Sequence, residues 1–96
     1  ESLIILNPGD KDARITFEIY FEDKNPVTDI IATVKAARVR CFRIDSPIGD
    51  ENSFLIPFGQ YALIVKSQQP VVAQIGRMDV SQPNLAYYTV MGYCTD

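Results

Sequence analysis

Between Ala13 and Glu22 the chain reads ARITFEIYFE, and in it Ile15, Phe17, Ile19 and Phe21 alternate with Arg14, Thr16, Glu18, Tyr20 and Glu22. A strict period of two puts every second side chain on one face, which fits a strand with one buried and one wet or ligand-facing side and does not fit a helix. Such a strand must set its apolar face against another layer, so a layered β architecture is the expectation.

The rest of the chain extends that pattern. SLIIL (Ser2 to Leu6) is a short apolar strand, and NPGDKD (Asn7 to Asp12) carries Pro-Gly-Asp turn chemistry, so the two strands flanking it are expected to form a hairpin. EDKNP (Glu22 to Pro26) ends the second strand. DIIATV (Asp29 to Val34) predicts a third, although Ile30 to Ala37 also admits a helical reading, and RVRCFRI (Arg38 to Ile44) predicts a fourth. Asp45 to Gln60 is the longest loop, rich in Pro, Gly, Asp, Asn and Ser, with FLIPF as a candidate short edge strand because Pro57 has no N–H to give to a ladder. YALIVKS (Tyr61 to Ser67), VVAQIGRM (Val71 to Met78) and LAYYTVMGYC (Leu85 to Cys94) complete a set of seven or eight strands. Their spacing points to an all-β, antiparallel sandwich or barrel, with residues 1–96 as a single domain.

Composition removes several chemistries. The chain has no histidine, which eliminates Ser-His-Asp and Cys-His catalysis, zinc-protease motifs and a histidine pH switch. Its formal net charge is −3. Lys35, Arg38, Arg40 and Arg43 cluster, but strand alternation is expected to split them between faces, so nucleic acid is not an expected partner. Cys41 and Cys94 lack metal-ligand spacing and are expected as reduced, partly buried thiols. No metal and no cofactor are expected. No stretch approaches the ~20 apolar residues of a membrane span and no leader pattern opens the chain, so direct membrane insertion is not expected and a cytoplasmic location is.

Among the polar groups, Glu18 and Glu22 share a strand face, but in-strand spacing separates them further than glycosidase carboxylates sit. Asp10, Asp12, Asp45, Asp50 and Glu51 fall near turns without the order of a calcium loop. Arg77 and Asp79 are more informative, because they share parity with Val71, Ala73 and Ile75 at the end of an apolar strand. A guanidinium cannot lie deep in a core unpaired. They form a rim ion pair, line a polar pocket at the end of the sandwich, or mark where the strand stops. Five tyrosines, Tyr20, Tyr61, Tyr87, Tyr88 and Tyr93, suit either a site for a sugar or other small polar ligand or an oligomer interface.

Taken in order, ILNPGD, YFEDKNP, Arg38 and Arg43 in the fourth strand, Ile56-Pro57, and PVVAQIGRMD with Gln74, Arg77 and Asp79 resemble the sensory rhodopsin transducer family over nearly the whole chain. The resemblance implies a small antiparallel β-sandwich that assembles as a homo-oligomer, a tetramer being the implied form. It also implies a non-enzymatic domain that binds or senses a small polar ligand, sugars leading, and relays that state to a partner. A membrane photoreceptor is the partner of the family's namesake, which gives the alternative reading of a pure interaction module. Carried onto this chain, Asn7, Arg38, Gln74, Arg77 and Asp79 are the implied ligand-binding positions. Two departures stand out: the family's additional N-terminal segment, with its tryptophan-bearing strand, is not represented here, and Cys41 stands where relatives can carry histidine.

Overall fold

The computed structural model describes residues 1–52, 54–57, 59–79 and 86–91, with 77–79 and 86–91 described by strand and register alone. Seven strands run β1 Ser2–Asn7, β2 Ala13–Phe21, β3 Val27–Val34, β4 Arg38–Arg43, β5 Tyr61–Ser67, β6 Val72–Asp79 and β7 Ala86–Met91. They form two antiparallel sheets, one ordered β4-β1-β6-β7 and the other β3-β2-β5, so the expected sandwich is the fold. Cys94, Tyr93 and the start and end of the predicted last strand lie outside the described residues.

The alternation in β2 is what joins the layers. Ile15, Phe17 and Ile19 are fully buried and face Leu3 and Ile5 of β1, Ile30, Ala32 and Val34 of β3, and Phe42 of β4 in one apolar cluster. Phe17 and Phe42 meet across the two sheets with ring centroids 5.1 Å apart and planes at 81°, the edge-to-face arrangement that aromatic quadrupoles favour. One device is invisible in the sequence: pairing of β2 with β3 shifts between Phe17 and Ile19, because Thr28 and Asp29 of β3 together oppose Glu18 alone.

Three expectations are corrected. β1 and β2 do not form a hairpin: β1 pairs with β4 and β6, whereas β2 pairs with β3 and β5. Residues 8–12 form an arch between sheets. Pro-Gly-Asp chemistry reverses the chain in either case, and the two apolar faces decide for the arch, since only stacking brings Leu3 and Ile5 against Ile15 and Phe17. FLIPF is not an edge strand. Phe54 makes an isolated bridge to Ile48, and Ile48 and Ile56 are buried, so the loop is a plug that caps the core. Cys41 is exposed, not partly buried, because it shares the outward parity of Val39 and Arg43.

The outward face of the four-stranded sheet is notably apolar. Val39, Leu6 and Val72 lie side by side across β4, β1 and β6 and all three are exposed.

Candidate functional site

Asn7 is the one buried polar side chain among the described residues. Its Nδ2 donates to the carbonyls of Lys11 (2.7 Å), Val34 (3.0 Å) and Lys35 (3.3 Å), and its Oδ1 accepts from the Gly9 N–H (3.1 Å). One amide therefore ties the 8–12 arch to the end of β3, where the chain crosses back between sheets through residues 35–37. Two further bonds hold that second arch: Ala37 N–H donates to Gly9 O at 2.9 Å, and Ala36 N–H donates to Asp12 Oδ1 at 2.9 Å. Ala37 takes φ 53°, a left-handed backbone that costs an L-residue about 1–2 kcal/mol and persists only where its surroundings fix it.

These ties shape a cleft between the edge of β3 and the edge of β4, with a volume of about 580 Å³. Thr33, Val34, Lys35, Arg38, Val39, Arg40 and Asp50 line it. Arg40 forms its back wall, donating through Nη1 to Thr33 O (2.8 Å) and Asp50 Oδ1 (2.6 Å), with its guanidinium 4.6 Å from the centroid of the Phe42 ring. Asp50 also accepts from Thr33 N–H (3.1 Å) and Thr33 Oγ1 (2.9 Å), which fastens the long loop onto the outer edge of β3. Arg38, at the mouth, is exposed and bonds only the carbonyl of Ala37 next to it, at 2.9 Å. Lys35 reaches Asp12 at 3.4 Å, with both side chains at least half exposed.

Desolvation works to raise the pKa of Asp50, but the hydrogen bonds from Arg40 and Thr33 and the Arg40 charge outweigh it and hold the carboxyl below its ordinary 3.8. A lowered folded value means that Asp50 stabilises the fold above the unfolded pKa and that this contribution is lost as pH falls through the folded one. Asp50→Asn is therefore expected to make acid unfolding below about pH 4 shallower while lowering stability at pH 7. Equal losses at both pH values in urea titrations would exclude the ionised bond as the cause.

The five positions singled out in the sequence do not share one place. Asn7 and Arg38 are register partners at the cleft end of the four-stranded sheet. Gln74 pairs with Ile4 on the opposite, outward face. Arg77 and Asp79 sit opposite Tyr88 and Ala86 at the far end of β6. Arg77 lies one row beyond the Ser2–Gly76 pair, six rows from Asn7, roughly 20 Å at the usual rise per residue. Their side chains, with those of Tyr87 and Tyr88, fall outside the described residues. Among the described residues no tyrosine lines the cleft. Tyr20 instead donates to Glu18 (2.8 Å) and Tyr61 to Glu1 (2.8 Å).

Sequence reasoning missed Lys35, Arg40, Thr33 and Asp50. Arg43 does face away from Arg38 and Arg40, as alternation requires, but the crossover between sheets brings Lys35 beside the latter two. No local signal ties Asp50 to Thr33. The paired-carboxylate idea has no support here, since Glu18 is engaged by Lys66 at 3.0 Å and by Tyr20, with Lys66 the larger influence in lowering its pKa. Among the described residues no group of histidine, cysteine, aspartate and glutamate side chains could hold a metal, and no helix is long and apolar enough to cross a membrane.

Comparison with known proteins places this geometry in context. A family model described as the Anabaena sensory rhodopsin transducer matches residues 1–94. The crystal structure of Thermotoga maritima 1070 superposes with a TM-score of 0.78 at 31% identity, covering 96% of this chain and 73% of that one. The Anabaena sensory rhodopsin transducer itself superposes with a TM-score of 0.65 at 34% identity, covering 76% of each chain. No curated protein matches.

Proposed function

The chain belongs to the Anabaena sensory rhodopsin transducer family, and from that premise we propose that it is a non-enzymatic signal-relay domain that takes a small polar ligand, of the sugar class or close to it, in the β3–β4 cleft. It acts as a cytoplasmic homo-oligomer, a tetramer by the family's implication, and passes its ligand state to a partner, for which the family's name offers a membrane photoreceptor. The observation that carries the reading is Arg38, a guanidinium without a carboxylate partner among the described residues, at the mouth of a cleft whose walls are held by Asn7, Asp12 and Asp50. Preorganised donors of this kind lower the ordering cost of binding. Arg77 and Asp79 form a second candidate pair at the far end of β6, and Gln74 lies on the other face of that strand.

Thermal unfolding against a library of sugars, nucleotides and organic acids tests this. A ligand held only by the folded state stabilises it by about 2.7 kcal/mol at a hundredfold excess over its Kd. The shift is expected to vanish in Arg38→Gln and to persist in Arg77→Ala; the reverse pattern moves the site to the other end of β6.

The reading as an interaction module has its own support in the sheet edges. The β3 edge is blocked, because Asp50 N–H takes Ile31 O and the Asp50 carboxylate takes Thr33 N–H. The β4 edge carries Arg38, Arg40 and Arg43. Among the described residues β5 pairs with β2 alone, and it has neither proline nor bulge nor any charge but Lys66, which leans onto Glu18. Natural proteins rarely leave such an edge bare. A second copy pairing antiparallel about Ile64 sets Leu63 against Val65 and Ala62 against Lys66, with no like charges opposed. Ile64 is 44% exposed, so Ile64→Lys should leave the fold intact and yet dissociate the oligomer, since two lysines then face each other. Mixing Ile64→Lys with Ile64→Glu should restore it. Light scattering that finds both variants assembled excludes this edge.

A further inference from the structure

We infer that the ligand of the β3–β4 cleft is an organic anion, with a carboxylate or phosphate group received between Arg38 and Lys35. This deepens the ligand-binding reading above and rests on it.

The argument starts from what the cleft can donate and accept. Among the described residues the lining holds Lys35, Arg38 and Arg40 and a single carboxylate, Asp50, which Arg40 neutralises, so Lys35 and Arg38 are the cationic donors left for a ligand. Asp50 is largely engaged: Oδ1 takes Arg40 and Thr33 N–H, and Oδ2 takes the Thr33 hydroxyl, which leaves about one acceptor position. The hydroxyl of Thr33 spends its proton in that contact. A neutral sugar both donates and accepts through each hydroxyl, so it needs free acceptors as well as donors, and usually an aromatic face for its ring. Among the described residues the lining offers no uncommitted carboxylate and no aromatic side chain. An ionised carboxylate or phosphate accepts only, which is the complement of a donor-rich wall.

Charge balance agrees. The chain as a whole is at −3, so a general attraction for anions is not expected of it. The cleft is the exception, with Arg38 unpaired by acid among the described residues and Lys35 held by Asp12 only at 3.4 Å in open solvent, a contact of small worth that an incoming anion displaces readily. The volume of about 580 Å³ is far larger than an inorganic phosphate and falls in the range of small-molecule sites, so an organic body is expected with the charged group.

Calorimetric titration at low salt with glucose, glucose 6-phosphate and glucuronate as probes tests the inference, in the native chain and in Arg38→Gln, Lys35→Gln and the control Arg43→Gln. Arg43 is on the opposite face and is paired with Asp45 at 2.7 Å. One or both anionic probes should bind and glucose should not, the preferred probe telling phosphate from carboxylate. Arg38→Gln should weaken that binding by about tenfold or more, Lys35→Gln by less, and Arg43→Gln not at all. Glucose binding as well as the anionic probes would overturn the anion assignment and leave the ligand cleft standing. Loss of equal size in Arg43→Gln would reduce the effect to general charge and overturn it too. No binding of any probe would overturn the assignment together with the cleft reading.

Discussion

Phe17→Ala is expected to remove about 3–5 kcal/mol of stability, the largest single effect in the molecule. Phe17 is fully buried in the middle of β2, and its ring is the contact through which the three-stranded sheet meets Phe42 of the four-stranded one. Truncation there loses the transfer energy of the ring and leaves a cavity that two rigid sheets cannot close from either side. Small domains have only about 5–15 kcal/mol in total, so the variant should lie near its unfolding threshold. In urea the midpoint should fall by more than about 1 M with the slope unchanged. Phe42→Ala should cost less by itself, and the double variant should cost less than the sum, because the edge-to-face contact is lost once. Additive losses would mean that the two rings do not interact energetically.

The second large effect belongs to Asn7. Asn7→Ala strands the carbonyl of Val34, which is buried, and leaves those of Lys11 and Lys35 and the N–H of Gly9 to whatever water reaches them. About 2–4 kcal/mol is the expected cost, near the upper range for one polar side chain because several groups are orphaned together. Asn7→Asp should be worse at neutral pH, since it keeps the acceptor for Gly9 and turns a second oxygen toward three carbonyls. The discriminating readout is local. If Asn7 holds the two arches, the amides of Ala36 and Ala37 should exchange faster in Asn7→Ala and ligand affinity at Arg38 should fall, even where the global fold survives. Unchanged exchange at both amides would show that the backbone bonds between the arches suffice without it.

Much of the architecture follows from alternation alone. Ile15, Phe17 and Ile19 are buried and Arg14 and Tyr20 exposed, as the period of two requires, and six of the strands begin or end within two residues of the apolar runs that predict them. The site was legible only in fragments. Arg38 and Asn7 could be named, but the hydrogen bonds by which Asn7 ties the two arches together have no signal in the sequence.

What the sequence by itself determined is therefore everything that depends on neighbours along the chain: strand, face, turn, and the chemistries excluded by the absence of histidine. Only the tertiary structure decided which strands pair and which stack, that residues 8–12 and 35–37 cross between sheets, and that Asp50 reaches Thr33 and Arg40 to close a cleft around Arg38. The physical reason is that a turn specifies reversal of the chain and not the layer to which it returns. That choice is made by burial of faces contributed by strands distant in sequence, and the cleft exists because two such crossings lie side by side.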